Sequence, residues 1–305
     1  MFVIYTLTLN PAIDYKIKVD RFEVNQLNRF KKGTLHPGGK GINVSVVLKN
    51  LGIDSVPITF LGGFTGHYLY ERIKKEHKLE LDPIWIDGDT RINIKMTVDH
   101  ETEINHDGPR VKDDKFELIT NRIKTLNKDD LVIVGGSAPY GQRDAFQQIA
   151  DICHQRDIPF IMDTPGDMFH QFIDFKPFLM KPNLKELNDY LLMDLFELDE
   201  IIFYGRQLIY RGVEHLIISL GSRGSLYLDN EKAYLAHPIT GKVVSSIGAG
   251  DSMVAGFVAM YQLTQDPKLA FIEAVAAASA TVFGGKLATH ADIQKYQTKV
   301  VIEEL

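Results

Sequence analysis

Residues 245–258 read Ser-Ser-Ile-Gly-Ala-Gly-Asp-Ser-Met-Val-Ala-Gly-Phe-Val. The glycines at 248 and 250 allow backbone N–H groups to turn toward one spot, and the apolar run after Asp251 predicts a helix whose positive end faces that spot. Such a corner favours an anion, and the Asp251 carboxylate beside it suits the transfer of a phosphoryl group to a hydroxyl. An ordinary glycine turn with an Asp at the start of a helix explains the same residues, so the rest of the chain has to decide.

The composition excludes several classes of protein. With 305 residues, 45% hydrophobic and 24% charged, the chain resembles ordinary globular proteins, and its length allows one large domain or two smaller ones. The net charge of -6 disfavours a nucleic-acid partner. Cys153 is the only cysteine, so an intrachain disulfide and a thiolate metal cluster are excluded, and a reducing, cytoplasmic location is expected.

No membrane segment is expected. The apolar residues 2–9 are too short to span a bilayer and predict a strand, and no targeting segment is visible there. The longer apolar stretch 270–285 contains Glu273 and several small residues, which predicts a tightly packed helix.

Strand-like and helical patterns alternate along most of the chain. Short apolar runs such as 131–134 and 215–220 are typical of strands buried on both faces, and polar or glycine residues follow their carboxyl ends. The pattern therefore predicts an α/β fold with a mainly parallel sheet and helices on both faces. The alternation breaks between Ile84 and Asn105, where two stretches with period two predict, with a strand near Ile17, a separate small sheet.

Other candidate site residues stand next to predicted strands and helices. Residues 37–43, Pro-Gly-Gly-Lys-Gly-Ile-Asn, offer bare backbone, a cation and an amide before a predicted helix. Glu186 could hold water around a magnesium ion, although a capping box with Asn183 explains the same spacing. Asp14 suits sugar hydroxyls and Arg91 suits a phosphate, and each also fits an ordinary surface charge.

Two common nucleotide motifs do not fit. Met253 stands where a dinucleotide fingerprint needs its third glycine, and Thr34 and Gly41 stand where a Walker A loop needs Gly and Ser or Thr. Residues 219–224, Ser-Leu-Gly-Ser-Arg-Gly, could pass under a nucleotide, and a tight hairpin explains them as well.

Four signatures resemble those of a known family when they are read together. They are Gly-Gly-Lys-Gly-x-Asn at 38–43, Lys-Pro-Asn-x-x-Glu at 181–186, Ser-Leu-Gly-x-x-Gly at 219–224 and Gly-Ala-Gly-Asp at 248–251. Their order and approximate spacing resemble the ribokinase-like carbohydrate kinases, the PfkB family, over nearly the whole chain. Residues 6–14, 88–95 and 101–105 are most similar to its phosphosugar branch, with the kinases of fructose 1-phosphate first and those of tagatose 6-phosphate next.

The resemblance implies a role for each matching residue. Asp251 would be the base that accepts the hydroxyl proton, and the amides of Gly248, Ala249 and Gly250 would form the anion hole. The sugar end would be held by Asp14, Gly38, Gly39, Lys40 and Asn43, with Arg91 and Arg29 on the sugar phosphate. The ATP site would comprise Lys181, Asn183, Glu186, Ser219, Gly221, Ser222 and Gly224, with Asn183 and Glu186 also organising Mg²⁺.

The resemblance also implies the reaction and the architecture. The expected activity is transfer of the γ-phosphoryl group of ATP to the 6-hydroxyl of fructose 1-phosphate. The expected fold is one ribokinase-like domain over 1–305, with a Rossmann-like core and a small β lid formed by about 12–36 and 84–106. The lid is expected to exclude water and to pair two subunits into a homodimer. The alternatives are a kinase for tagatose 6-phosphate or fructose 6-phosphate and, more remotely, a non-catalytic sugar-phosphate sensor.

Overall fold

The computed structural model describes residues 3–305, so Phe2 of the predicted first strand lies outside the described residues. The strands are β1 Ile4–Thr8, β2 Ala12–Lys18, β3 Gly33–Gly38, β4 Ser55–Gly62, β5 Asp82–Ile86, β6 Arg91–Thr97, β7 Glu101–Ile104, β8 Leu131–Gly135, β9 Phe160–Asp163, β10 Leu179–Met180, β11 His215–Ser219, β12 Ser225–Leu228, β13 Ala233–Ala236 and β14 Ile302–Glu304. The α-helices are α1 Lys40–Asn50, α2 Gly63–His77, α3 Asp113–Ile123, α4 Ala145–Gln155, α5 Leu184–Leu191, α6 Leu198–Tyr210, α7 Ala249–Thr264, α8 Pro267–Gly284 and α9 His290–Gln297.

A large sheet forms the centre of the molecule, with the strand order β14-β13-β12-β11-β10-β9-β8-β1-β4-β5. The strands from β11 to β5 are parallel, and β12, β13 and β14 add an antiparallel edge. One face of the sheet packs against α3, α4 and α6, and the other packs against α1, α7 and α8. The predicted α/β class is therefore confirmed, and the uninterrupted apolar runs are explained by burial on both faces.

A second, smaller sheet has the order β3-β2-β6-β7. Its strands overlap the two ranges predicted for the lid, about 12–36 and 84–106, although β3 continues to Gly38. Residues 84–86 fall in the predicted range but are not part of this sheet. They belong to β5, which pairs with β4 at the edge of the large sheet. Because Ile84 is buried in the main core, its apolar side chain holds this stretch in the large sheet, and the second sheet begins only at Arg91.

The helix α8 is long and apolar enough to cross a membrane by length and composition alone. More than half of it is buried, and it packs between α7 and α9. It is thus the tightly packed core helix that the sequence predicted.

Small residues let α7 and α8 approach closely. A Cβ atom on Gly256 of α7 would lie 2.8 Å from the carbonyl oxygen of Glu273 and 3.0 Å from the Cβ of Ala277, both in α8. This contact matters for the site because the first turn of α7 carries Asp251.

We expect Gly256→Ala to lower the free energy of unfolding by about 1–3 kcal/mol, because the added methyl group must displace the backbone of α8. Gly284→Ala is the matched control. It also lies in a helix, and its Cβ would meet no atom closer than 4.0 Å, so this change should be neutral or stabilise by up to about 1 kcal/mol. Urea denaturation of both variants measures the difference, and equal stabilities would contradict the close contact.

Candidate active site

A cleft of about 1470 Å³ lies between the second sheet and the carboxyl ends of the parallel strands. This is the edge of an open α/β sheet where ligands bind. The cleft brings together most of the predicted site residues, although they come from distant parts of the chain. Those in its lining are Asp14, Gly38, Gly39, Lys40, Asn43, Lys181, Asn183, Glu186, Ser219, Gly221, Ser222, Gly224, Gly248, Ala249, Gly250 and Asp251.

The start of α7 presents N–H groups to the cleft. Gly248 has φ 78°, in the left-handed region, and a Cβ there would lie 2.7 Å from the Leu287 side chain, so the turn requires glycine. Within residues 3–305, the amides of Gly250 and Asp251 make no hydrogen bond. The amide of Ala249 differs from the prediction, because it donates to the carbonyl of Ser246 at 3.2 Å. Gly248, Gly250 and Asp251 therefore have N–H groups without a hydrogen-bond partner in the described chain, whereas Ala249 does not.

Asp251 is a buried carboxylate held by one amide. Its side chain is 5% exposed, and its Oδ2 accepts a hydrogen bond of 2.7 Å from Nδ2 of Asn43 in α1. Burial, and then the negative charge of Asp163, raises the pKa of Asp251 to about 6, against the opposing effects of Lys40, Asn43 and Lys181. A carboxylate with this pKa is a better proton acceptor near neutral pH than an exposed one.

Asp163 is a central residue of the cleft that sequence analysis did not select. It ends β9, it is 3% exposed, and its Oδ1 lies 3.0 Å from Nζ of Lys40 and 3.5 Å from Nζ of Lys181. Burial alone would raise the pKa of Asp163, but the two ammonium groups outweigh burial and hold that pKa below its usual value. The available signal was its position as a polar residue directly after a buried strand.

Lys40 remains charged in this arrangement. Burial alone would lower the pKa of Lys40, but the carboxylates of Asp163 and Asp251 outweigh it and raise that pKa above its usual value. A Cβ on Gly250 would lie 2.8 Å from Nζ of Lys181, so this glycine leaves room for the ammonium group beside the start of α7.

The helices α1, α5 and α7 begin at the cleft. Each helix start carries a partial positive charge and unpaired N–H groups. Together with Lys40 and Lys181, these helix starts make the cleft suited to an anion with several negative charges, such as the phosphates of a nucleotide.

Asn183 and Glu186 form the capping box that the sequence left open as an alternative. Oδ1 of Asn183 accepts from the amide of Glu186, and Oε2 of Glu186 accepts from the amide of Asn183, both at 2.8 Å. Both residues nevertheless line the cleft. Among the described residues, no group of three or more His, Cys, Asp or Glu side chains forms a metal site.

The segment from Gly221 to Gly224 is a tight connection between the antiparallel strands β11 and β12, as the hairpin alternative predicted. Gly224 has φ 95°, and a Cβ there would lie 2.0 Å from the carbonyl oxygen of Ala236. Ser222 is exposed at the cleft. The segment is thus both a tight hairpin connection and part of the cleft lining.

At the other end of the cleft, the polar face of the second sheet carries Asp14. Its Oδ1 accepts a hydrogen bond of 3.0 Å from Nδ2 of the buried Asn93, and a Cβ on Gly38 would lie 2.9 Å from its Oδ2. Asp14 therefore has one oxygen held by protein and the other beside the bare backbone of the Gly38 segment.

The two arginines predicted on a sugar phosphate do not line the cleft. The guanidinium of Arg91 donates to the carbonyl oxygens of His106 and Asn10, both at 2.9 Å, and to Oγ of Ser137 at 3.4 Å. Its Nη1 and Nη2 atoms thus donate to protein oxygens, whereas its buried Nε atom has no hydrogen-bond partner in the described chain. Arg29 is exposed on the connection between β2 and β3. The positive charges are predictable from the sequence, but these orientations are not.

Comparison with known proteins agrees with this geometry. The pattern of the pfkB family carbohydrate kinases matches residues 7–292. A 1-phosphofructokinase of Bacillus subtilis is 39% identical over 99% of this chain and 100% of its own length. A D-tagatose-1-phosphate kinase of Bacillus licheniformis is 32% identical over 99% of this chain and 100% of its own. The crystal structure of phosphofructokinase-2 from Escherichia coli in complex with substrates and products has a TM-score of 0.90 at 26% identity, covering 98% of this chain and 99% of that one.

The fold and the anion-binding cleft define a phosphotransferase, and the full-length relatives support that class. The chain belongs to the pfkB family of carbohydrate kinases. The family predicted from the four sequence signatures is confirmed.

The raised pKa of Asp251 predicts a cost in stability. Because the pKa is higher in the folded state, the free energy of unfolding contributed by this group falls as the pH rises from about 4 to about 6, and the loss persists above pH 6. We expect Asp251→Asn to have a Tm at pH 8 that is equal to or above that of the wild type, with a smaller gain at pH 4.5.

Thermal unfolding at both pH values tests this expectation, with Asp199→Asn as the control because Asp199 is exposed at the start of α6. The raised pKa would be contradicted if the Tm of Asp251→Asn lay further below the wild-type Tm at pH 8 than at pH 4.5.

Proposed function

We propose that the protein transfers the γ-phosphoryl group of ATP to the 6-hydroxyl of fructose 1-phosphate and forms ADP and fructose 1,6-bisphosphate. The observation that carries the proposal is the buried Asp251 carboxylate beside unbonded N–H groups at the start of α7. The choice of acceptor is supported by the relative from Bacillus subtilis, which is named a 1-phosphofructokinase.

The reaction follows from the charges around the start of α7. The 6-hydroxyl oxygen forms the new bond to phosphorus, the bond from phosphorus to the ADP oxygen breaks, and Asp251 accepts the hydroxyl proton. Asn43 holds one oxygen of that carboxylate, which leaves the other for the acceptor. The amides of Gly250 and Asp251, with Gly248 next to them, stabilise negative charge on the transferring group.

Lys40 has a different role here from the sugar contact that the resemblance implied. Its ammonium group contacts Asp163 beside Lys181, and Asp251 also raises its pKa. We assign Lys40 and Lys181 to the phosphates of ATP, while Gly39 and the backbone next to it remain at the sugar end.

Magnesium is part of the proposal. Oδ2 of Asp163 is buried without a hydrogen-bond partner in the described chain, so the cleft contains an acceptor oxygen that suits a cation. Asn183 and Glu186 would hold the ion, largely through water and the nucleotide phosphates, which is the usual manner for Mg²⁺. When bound, the ion neutralises charge on the phosphate oxygens.

Each substrate has its own end of the cleft in this proposal. ATP lies along Ser219, Gly221, Ser222 and Gly224, and the sugar lies between Asp251 and Asp14, with Gly38 and Gly39 beneath it. The second sheet closes over the sugar and excludes water, which limits hydrolysis of ATP.

We also propose a homodimer that forms through the second sheet, in the cytoplasm. Ile92 and Ile104 on neighbouring strands are 41% and 53% exposed, and the sheet has free edges at β3 and β7. Pairing would cover both the apolar side chains and the strand edges.

The acceptor is tested by ADP release with ATP and Mg²⁺, comparing kcat/KM for fructose 1-phosphate, fructose 6-phosphate, tagatose 6-phosphate and tagatose 1-phosphate. We expect a preference of at least about tenfold for fructose 1-phosphate. Tagatose 1-phosphate is included because one relative is named for it. A preference for either 6-phosphate would indicate that the sugar binds in the reverse orientation in the cleft. No turnover with any of them would favour a non-catalytic sensor.

The role of Asp251 is tested by Asp251→Asn. We expect kcat to fall by about 10²–10⁴-fold, because proton acceptance is lost, while the Kd of ATP stays near that of the wild type. Asp199→Asn again serves as the control and should keep full activity. Turnover of Asp251→Asn within about threefold of the wild type would show that another group accepts the proton.

A further inference from the structure

The start of α1 is held by a side chain from another part of the chain. Its N-cap residue is Gly39, which has no side chain to accept the first free N–H groups of the helix. Oγ1 of Thr8 takes that place, because it accepts a hydrogen bond of 2.9 Å from the amide of Ile42. Thr8 lies 34 positions before Ile42, at the end of β1. A hydroxyl from the large sheet thus caps α1.

The position of Thr8 explains the glycines around this cap. A Cβ atom on Gly39 would lie 2.7 Å from Cγ2 of Thr8, and a Cβ atom on Gly41 would lie 2.7 Å from its Oγ1. Gly39 also has φ 143°, a value that other residues rarely adopt. A residue with a side chain at position 39 would therefore collide with Thr8, so the cap of this helix has to come from β1.

Thr8 itself is held firmly. It is 2% exposed, and β1 lies between β4 and β8 inside the large sheet. Its carbonyl oxygen also accepts a hydrogen bond of 2.8 Å from Oγ1 of Thr59 in β4. As a β-branched residue, threonine has few χ1 rotamers to choose from. The sheet therefore fixes the Thr8 hydroxyl, and the hydroxyl fixes the first turn of α1.

That first turn carries the side chain that contacts the proposed proton acceptor. Asn43 follows Ile42 directly, and its Nδ2 donates a hydrogen bond of 2.7 Å to Oδ2 of Asp251. The backbone amide of Asn43 donates to the carbonyl oxygen of Gly39 at 2.9 Å, so the capped amide and Asn43 belong to one turn of helix. A change in this turn would move Nδ2 of Asn43 relative to Asp251.

We propose that Thr8 is a positioning residue, whose hydroxyl holds Asn43 against Asp251 and so supports phosphoryl transfer. Thr8 does not line the cleft, so it acts through α1 and not by contact with a substrate. This proposal rests on the proposed function, since it treats Asp251 as the proton acceptor.

A second contact between β1 and α1 provides a matched control. Thr6 is also buried in β1, and its Oγ1 lies 2.8 Å from Oγ of Ser45 in the same helix. Thr6→Val and Thr8→Val therefore each remove one buried hydroxyl between the same two elements, with little change in volume. They differ in that Thr8 accepts from a backbone amide of the first turn, whereas Thr6 contacts a side chain of the second turn.

The test measures steady-state kinetics of Thr8→Val with ATP, Mg²⁺ and fructose 1-phosphate. We expect kcat to fall about 10- to 100-fold, because a small misplacement of a group in an active site has effects of this order. The KM for ATP should stay within about twofold. Thr8→Ser keeps the hydroxyl, and its kcat should stay within about threefold of the wild type. Thr6→Val should also stay within about threefold, even if its Tm falls as far as that of Thr8→Val.

The pH profile distinguishes positioning from a general loss of stability. Burial raises the pKa of Asp251, and the groups around it act on the same pKa. These groups are Asp163, which raises the pKa, and Lys40, Asn43 and Lys181, which lower it. Loss of the Asn43 hydrogen bond removes one lowering effect, so the acid limb of the kcat/KM profile should move to higher pH in Thr8→Val. The profile of Thr6→Val should match that of the wild type.

A crystal structure of Thr8→Val gives a result that does not depend on activity. We expect the distance from Nδ2 of Asn43 to Oδ2 of Asp251 to lengthen beyond about 3.5 Å, outside hydrogen-bond range. The proposal is overturned if this hydrogen bond is kept, if the kcat of Thr8→Val stays within about threefold of the wild type, or if Thr6→Val loses as much activity.

Should Thr8→Val fail to fold, Thr8→Ser and Thr8→Ala decide the matter, because alanine removes the hydroxyl without placing a methyl group against the unpaired amide. The kcat of Thr8→Ser should then exceed that of Thr8→Ala by at least about fivefold, and equal values would overturn the proposal. Failure of the proposed function looks different, since the wild type itself would not turn over fructose 1-phosphate. The crystal structures would still show whether Thr8 positions Asn43.

Discussion

Two ammonium groups share one buried carboxylate, and the chemistry of the cleft depends on that contact. Asp163 brings Lys40 from α1 and Lys181 from the end of β10 to the same oxygen atom. Without it, the two lysines would repel each other beside the positive helix starts, and burial would favour loss of the Lys40 proton. With it, a high density of positive charge is stable in the cleft. After burial, the same carboxylate is the next cause of the raised pKa of Asp251, so the charge that holds the lysines also acts on the proposed proton acceptor.

The fold could be predicted from sequence because its signals are local. Uninterrupted apolar runs identified the parallel strands, and glycine and polar residues after them identified the binding edge of the sheet. The error at residues 84–86 has the same origin. Alternation of polar and apolar residues is similar in an edge strand of the large sheet and in a strand of the small one. The two cases differ in the core against which the strand packs, and Ile84 packs in the main core.

The site was predictable as a set of segments but less so as a set of contacts. The four signatures located the residues around α1, α5 and α7, because each signature lies at a turn whose backbone is special. The pairing of Lys40 with Asp163 spans 123 positions in sequence and depends on β9 lying between β8 and β10, which no local pattern encodes. The orientation of Arg91 could not be predicted from the sequence either, because two of its acceptors are backbone carbonyls whose positions depend on loop conformation.

The second sheet enters the chain as two insertions. β2 and β3 lie between β1 and α1, and β6 and β7 lie between β5 and α3. The groups around the start of α7, including those of α1, come from segments of the chain outside these two insertions. Apart from buried positions such as Ile13, which packs in a cluster with residues of α1 and α2, mutations in the two insertions can accumulate without disturbing the packing of the core. Such a division lets descendants of one ancestral gene diverge in the sugars they accept while the machinery for ATP is inherited intact.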